Sequence, residues 1–444
     1  MIFNNVTLLA VFLPSILVVN AIKEILVVVI TTNKESSYYG SKVAIDLLNK
    51  DYNISEFFKF EFYFDDGNEG LAVKHIVDIL KENRRIFAVI GSQKSASSMA
   101  IGQLLKHYNV PQISPNSASP LLSDKDEYPY FLRMTNSALE RNLVRIKILK
   151  YFGWRRVFVI TEALEFFYEI YDHFYQQANS NNITIADNFI VHSKEDLTTI
   201  VPKLIDHDAR VIVIFAYNTV TRYYLCQAYL HNLYGKRYVL VLPSNIQKLI
   251  LTSSIFPDIC SPEQANLVLD GSLREAGSSV SNEMYFPYGN TMYNINDLVQ
   301  KMYDYMKGSS SLGYAGSAFD AVMTTVLTIE NLMPKNTSEF WEIDQIEMGK
   351  SILAKLLNAD FNGFLGKIQF DKHGNLKRNV IIQKYLKENA DNPVEVGLYD
   401  GITGDIEFTT KPYINVPKDE KSRQLILKKL SSVKCLDVPR THDE

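Results

Sequence analysis

Residues 25–30 read ILVVVI, an aliphatic run without a polar residue, and this run decides the fold. Continuous apolar runs of this length are typical of a parallel β-strand that is buried on both faces. The segments that follow alternate between helical and strand patterns: helix 40–50, strand 58–64, helix 71–81, strand 86–90 and helix 99–108. This alternation predicts an α/β fold built on a parallel sheet.

A second run of the same kind begins after a helical segment that ends near residue 152. Its segments alternate in the same way: strand 157–160, helix 164–180, strand 183–189, a helix before residue 207, strand 211–215, a helix through Cys226 and strand 238–242. Parallel strands joined by helices form open sheets that are covered on both faces, so the two runs predict two doubly wound lobes. We expect residues 128–152 to cross from one lobe to the other.

The rest of the chain is less regular. Glycine and proline interrupt the periodicity between residues 260 and 311, which predicts loop-rich structure and a second crossover. Residues 317–332 are strongly helical. From residue 366 the chain is typical of strands, with turns at 373–375 and 399–401, and it ends in a charged tail after residue 418.

The composition excludes several classes of function. The chain has 444 residues, 46% of them hydrophobic, and a formal net charge of −4. Its 46 lysines and arginines are scattered, so no basic stripe indicates a nucleic-acid partner. The eight histidines lack metal-ligand spacing, and the sequence contains no phosphate-loop, dinucleotide-binding or nucleophile-elbow motif. We therefore expect no metal, no cofactor and no enzyme activity.

The N-terminal segment predicts secretion. Residues 1–21 contain an apolar stretch at 8–19 and end on a small-residue pattern that is typical of signal-peptide cleavage. Because no lysine or arginine precedes the stretch, an uncleaved N-terminal anchor is the alternative. Either interpretation makes the chain secreted or places it on the extracellular face of the plasma membrane. Glycosylation sequons at Asn53, Asn182 and Asn336 agree with that location, and three cysteines allow at most one internal disulfide.

Residues 91–109 read GSQKSASSMAIGQLLKHYN and place a glycine and several hydroxyls between a strand and a helix. Ligands of open α/β sheets bind at this location, where free backbone N–H groups and the positive end of the helix dipole face outward. The hydroxyls of Ser95, Ser97 and Ser98 add donors, so the segment predicts a site for an anion such as a carboxylate. A serine-capped helix start without a ligand is the alternative.

Longer motifs support a family resemblance. They are VPQISPNSASPLLSDKDEYPYFLR at 110–133, LKYFGWRRVFVIT at 149–161, FAYNTVTRYYLCQAYLHNLYGKRYVLVLP at 215–243, SAFDAVMTTVLTIENL at 317–332, ADFNGFLGKIQFDKHGN at 359–375 and VEVGLYDG at 394–401. Together with residues 91–109, they resemble the receptor family ligand-binding region, a two-lobed clamshell shared by class C receptors and bacterial amino-acid-binding proteins. The chain is similar to the ectodomains of the metabotropic GABA type B receptor subunits over nearly all of its length after residue 21.

The resemblance implies a periplasmic-binding-protein type I clamshell, with two doubly wound lobes joined by crossover strands. It also implies that the lobes close on a small amino-acid-like ligand, and that the first lobe binds a related receptor subunit in a homo- or heterodimer. The expected organisation is: signal peptide 1–21, first lobe 22–135 and 286–365, second lobe 136–285, final crossover and closing strands of the second lobe 366–417, tail 418–444. The alternatives are a dimerisation subunit without a ligand, a secreted binding protein and the ectodomain of a guanylate-cyclase-type receptor.

The resemblance also assigns ligand-binding residues. Ser95 lies where the family binds the ligand carboxylate, and Tyr217 lies on the family's tyrosine of the second lobe. Ala118 replaces a further serine of the family, and its neighbours Ser117 and Ser119 are the candidates to substitute for it. Tyr314 stands where the family has a glutamate, so it becomes the candidate at the amine end of the ligand.

Other family positions have changed. Asn245 stands where the family has a tryptophan, and this change, with the missing glutamate, argues against GABA itself as the ligand. Cys226 and Cys260 match a family disulfide at the same spacing. The cysteines of a second family disulfide are replaced by Asn68 and Lys94.

Overall fold

The structure is a computed structural model, and it describes residues 24–32, 36–243, 259–277, 285–288, 291–306, 312–333, 337–387 and 393–408. The expected signal peptide, Asn245, Asn336 and the tail lie outside the described residues. The strands are β1 Ile25–Thr31, β2 Phe58–Phe64, β3 Ile86–Ile90, β4 Gln112–Ser114, β5 Phe131–Arg133, β6 Arg156–Glu162, β7 Thr184–Val191, β8 Val211–Phe215, β9 Val239–Leu242, β10 Leu273–Gly277, β11 Tyr285–Tyr288, β12 Thr291–Asn294, β13 Asp360–Gly363, β14 Gly366–Gln369, β15 Val380–Lys384, β16 Val394–Tyr399 and β17 Ile406–Glu407. The helices are α1 Ser36–Tyr52, α2 Glu69–Lys81, α3 Ser95–Leu105, α4 Ala138–Tyr151, α5 Glu165–Ser180, α6 Leu197–Asp206, α7 Asn218–Leu230, α8 Pro262–Leu269, α9 Ile295–Met306, α10 Leu312–Glu330, α11 Thr337–Glu342 and α12 Gln345–Leu357.

The first lobe is built on a sheet of five parallel strands in the order β2-β1-β3-β4-β5. All seven residues of β1 are buried, as expected for a strand covered on both faces. Helices α2 and α3 cover one face, and α1 with α9 to α12 covers the other. The long helix α10 has the length and apolar composition of a membrane span, but 78% of its apolar window is buried in this core.

The contact between α1 and α10 is unusually close. A Cβ atom built on Gly40 of α1 would lie 1.9 Å from the carbonyl oxygen of Ala315 in α10. Only glycine leaves room for this approach of two backbones. The start of α1 follows β1, so the first turn of α10 lies at the carboxyl end of the first sheet.

The second lobe is built on an eight-stranded sheet in the order β17-β16-β15-β10-β9-β8-β6-β7. The strands β6 to β10 pair with one another in parallel. The strands β15, β16 and β17 complete the sheet beside β10 through antiparallel pairs. Helices α4 and α5 pack on one face and α6, α7 and α8 on the other. The α/β prediction with two doubly wound lobes is confirmed.

Residues 366–376 belong to the core of the first lobe. Ile368, Phe370 and Leu376 are buried among its helices and strands. The chain therefore passes to the second lobe after Leu376, later than the boundary at 366 that the sequence suggested.

Two short crossovers set the positions of the two sheets. Residues 134–137 connect the end of β5 with the start of α4, and α4 leads into β6, so it begins at the carboxyl end of the second sheet. Asn375 forms a bridge with Arg133 at the end of β5, and Val380 pairs with Gly277 at the end of β10. Both crossovers join carboxyl ends directly. The carboxyl edge of the first sheet (the first edge) therefore faces that of the second sheet (the second edge).

The prediction of loop-rich structure between residues 260 and 311 is wrong. The described part of this segment contains α8, β10, a hairpin of β11 and β12, and α9. Pro262, which we interpreted as a breaker, occupies the first turn of α8, where its missing N–H has no partner to lose. Ser261 caps that helix in a capping box with Gln264.

Candidate functional site

Ser95 opens the first edge. It is the first residue of α3, directly after the loop that leaves β3, and its hydroxyl accepts a hydrogen bond from the N–H of Ser119 at 3.2 Å. Lys94 caps the helix without a side-chain hydrogen bond, and its side chain is exposed. The first N–H groups of a helix have no partner inside it, so this end of α3 presents donors and positive potential. The surface can bind an anion.

Ser117 and Ser119 lie beside Ser95, but they are less open. Ser117 is fully buried, and its hydroxyl donates to the hydroxyl of Ser98 at 2.9 Å, with the carbonyl of Ser92 as an alternative acceptor at 3.3 Å. Ser119 is 4% exposed. These bonds fix the loop after β4 against α3, so Ser117 stabilises the first edge from inside the lobe.

Arg133 anchors this loop from the core. Its guanidinium is fully buried and donates to the carbonyls of Ser119 at 2.7 Å and Ser117 at 3.2 Å, and to the side chain of Asn375 at 2.6 Å. Burial lowers the pKa of Arg133 to about 10. Sequence reasoning missed this residue, although an arginine at the end of the apolar strand Phe131–Arg133 is an available signal.

Tyr217 opens the second edge at the start of α7. Its N–H donates to a carboxylate oxygen of Glu162 at 2.7 Å, and Glu162 is the last residue of β6. β6 is the strand from which the chain order reverses, the location where ligands of such sheets bind. The ring of Tyr217 is 47% exposed, and its centroid lies 4.8 Å from that of Phe167. Burial, and secondarily the charge of Glu162, raises the pKa of the Tyr217 hydroxyl.

Tyr314 lies in the first turn of α10, next to the contact between Gly40 and Ala315, and is 44% exposed. The structure thus places Ser95 and Tyr314 at the first edge and Tyr217 at the second. Glu162 was not predicted, because its position gains meaning only from a bond to a residue 55 positions away.

The carboxylate of Asp320 in α10 has a structural role. It is fully buried, accepts the N–H groups of Phe364 at 2.6 Å and Leu365 at 3.0 Å, and pairs with Arg378 at 3.5 Å. Burial raises the pKa of Asp320 to about 6, although Arg378 opposes the shift. Arg378 lies in the final crossover, and its carbonyl accepts a hydrogen bond from Asn136 in the first. The pair therefore fixes both crossovers to the first lobe.

The predicted disulfide is confirmed. Cys226 of α7 is bonded to Cys260, two residues before α8, with the two Cα atoms 5.3 Å apart. The sequon residues Asn53 and Asn182 are both exposed. Over the described ranges, no group of three or more histidine, cysteine or acidic residues could hold a metal ion.

A cavity of about 310 Å³ lies at the other end of the first sheet. It is lined by Ile86, the first residue of β3, with Arg85, Tyr108 and Ile343 among others. Arg85 already donates to Gln345 at 3.0 Å and to the carbonyl of Ile343 at 2.8 Å. The cavity is separate from the two edges.

Comparison with known proteins supplies the family context. The family described as receptor family ligand binding region matches residues 40–384. Gamma-aminobutyric acid type B receptor subunit 2 of Homo sapiens is 22% identical over 393 residues, which cover 85% of this chain and 40% of that protein. Subunit 1 of Mus musculus is 22% identical over 388 residues, covering 83% and 39%, and subunit 1 of Caenorhabditis elegans is 26% identical over 357 residues, covering 77% and 38%. The chain thus spans about 40% of the length of these relatives.

Proposed function

The chain belongs to the receptor family ligand-binding region, which is a family of receptor domains and not of enzymes, and on that premise we propose that it senses a small ligand outside the cell. We infer that it forms the ectodomain, or a secreted relative of the ectodomain, of a receptor similar to the gamma-aminobutyric acid type B receptors. The ligand is amino-acid-like and lies between the two edges. Closure of the lobes follows when the ligand binds the closed state more tightly than the open one.

The observation that carries this proposal is that the first edge faces the second edge. Ser95 and the first turn of α3 lie on one edge, and Tyr217 lies on the other, joined by the crossovers at 134–137 and 376–379. A ligand that contacts both edges gains interactions only when they approach each other. The disulfide and the exposed sequon residues Asn53 and Asn182 support an oxidising, extracellular location.

Thermal stabilisation tests the proposal. The chain is produced by secretion from eukaryotic cells, and its Tm is measured with a panel of amino acids and small carboxylic acids. A ligand should raise the Tm of the wild-type protein, and Ser95→Ala should weaken its binding about tenfold because the carboxylate loses a hydroxyl donor. Ser180→Ala is the matched control, since that exposed hydroxyl only bonds the carbonyl of Gln176 in its own helix. A ligand whose binding is unchanged in Ser95→Ala would contradict the site.

One observation favours a second function. Ser117 beside Ala118 is closed to solvent, which reduces the hydroxyls that a ligand can reach at the first edge. In that case the chain acts as a subunit that binds a related receptor subunit through its first lobe without a ligand of its own. Native mass spectrometry separates the two: nanomolar association with a related subunit, and no stabilising ligand, would decide for the second function.

A further inference from the structure

We propose that Glu162 binds the cationic group of the ligand, so that the ligand lies with its carboxylate on the first edge and its ammonium group on the second. This inference rests on the proposed function and names the ligand class: a zwitterion with a primary ammonium group.

The first step is the position of the carboxylate. Glu162 ends β6, and one of its oxygens accepts the N–H of Tyr217 at 2.7 Å, which holds the side chain at the opening of α7. The second oxygen makes no hydrogen bond with any described residue, and it is not among the buried polar atoms without a partner. It therefore remains open to solvent at the second edge.

The second step is charge. Glu162 has no lysine, arginine or histidine partner within 4.0 Å among the described residues. Glu165, exposed in the first turn of α5, adds a further negative charge. Among the residues that the structure describes, the second edge is thus acidic and Glu162 has no counter-ion. A half-buried carboxylate without a partner favours binding of a cation.

The third step is the aromatic cluster that includes Tyr217, the hydrogen-bond partner of Glu162. The ring of Tyr217 lies parallel to that of Phe166, with centroids 6.4 Å apart, and contacts Phe167 at its edge. Aromatic faces attract an ammonium group, and they do so more strongly when water is excluded. A carboxylate with adjacent aromatic rings is a suitable site for an alkylammonium.

The fourth step is complementarity between the edges. The first edge carries the N-terminus of α3, the Ser95 hydroxyl and the exposed cation of Lys94, and all of these favour an anion. The second edge carries Glu162 and Glu165, which favour a cation. A ligand with both charges satisfies both edges at once, whereas a simple acid contacts only the first edge. Zwitterions should therefore favour closure more than the corresponding acids.

Matched pairs of probes test the inference by calorimetry: 4-aminobutyrate with butyrate, 3-aminopropionate with propionate, and glycine with acetate. Glu162→Gln keeps an oxygen for the N–H of Tyr217 and removes only the charge. We expect this variant to bind the amine-containing probe at least about tenfold more weakly than the wild type, and to bind the simple acid with unchanged affinity. Glu263→Gln, the same change in the first turn of α8 in the same lobe, should alter neither.

Phe166→Leu provides a second variant that keeps the carboxylate. This variant should bind the amine-containing probe severalfold more weakly than the wild type and bind the simple acid with unchanged affinity. If the amine-containing probe binds both variants as tightly as it binds the wild type, the assignment of Glu162 is wrong while the proposed function stands. If no probe binds the wild-type protein, the proposed function fails, and this inference fails with it.

Discussion

The two edges of the cleft are built differently. Hydrogen bonds from inside the lobe fix the first edge. Arg133 donates to the carbonyls of Ser117 and Ser119, and the N–H of Ser119 donates to the hydroxyl of Ser95. The second edge presents half-exposed groups, with Tyr217 held to Glu162 by a single hydrogen bond. A pre-organised surface loses little entropy when a ligand binds, whereas a looser one can adapt to its ligand. On the proposed function, we expect the first edge to set where a ligand binds and the second edge to select which ligand binds.

The largest predicted effect concerns the connection between the lobes. Asp320→Ala leaves Arg378 as an unpaired buried charge and the N–H groups of Phe364 and Leu365 without an acceptor. We expect the free energy of unfolding to fall by about 3–5 kcal/mol, measured by urea denaturation. Asp172→Ala, at an exposed position of α5, should change it by no more than about 0.5 kcal/mol. Equal stability of both variants would show that the crossovers do not depend on the ion pair.

An intermediate effect should be confined to the second lobe. The double variant Cys226→Ala with Cys260→Ala removes the link between α7 and the start of α8. Its free energy of unfolding should fall by about 2–4 kcal/mol, because the unfolded chain gains entropy. Cys435→Ala is the control and should leave stability unchanged. A double variant as stable as this control would contradict a supporting role of the bridge at the second edge.

The smallest predicted effect distinguishes two serines of the first edge. Ser117→Ala removes a buried hydroxyl that bonds to Ser98, so it should cost about 1 kcal/mol of stability. Ser95→Ala should cost less stability, because its side chain is partly exposed, but it should weaken ligand binding. Urea denaturation and calorimetry on the same two variants measure both quantities. A larger loss of stability in Ser95→Ala and a loss of ligand binding in Ser117→Ala would contradict the roles that we give to these residues.

Sequence reasoning predicted the bounds of three strands, of which two are completely buried and 58–64 is mostly half-buried. The segments 58–64, 86–90 and 211–215 have in the structure the bounds expected from their apolar runs. Helix α3 begins at Ser95, earlier than the expected residue 99, because its serine-rich first turn lacks apolar periodicity. The disulfide was predictable from the family spacing of Cys226 and Cys260.

The parts of the site that the sequence did not reveal depend on distant contacts. Whether Ser117 faces a ligand or the core is decided by the carbonyl of Ser92 and the hydroxyl of Ser98, and no local pattern contains that information. The bond between Glu162 and Tyr217 depends on the pairing of β6 with β8. The resemblance assigned only the positions of the family's ligand-binding motif, so it did not point to Glu162.

The packing of α1 against α10 has a consequence for folding during synthesis. The first sheet ends at Arg133, but the helix that covers it through Gly40 and Ala315 begins at Leu312, about 180 residues later. At about 5–20 residues per second, the ribosome needs roughly ten to forty seconds to supply that helix. During this interval the parallel part of the second lobe can fold, while one apolar face of the first sheet is covered by α1 alone. The nascent first lobe is therefore the part of the chain that exposes apolar surface longest during synthesis.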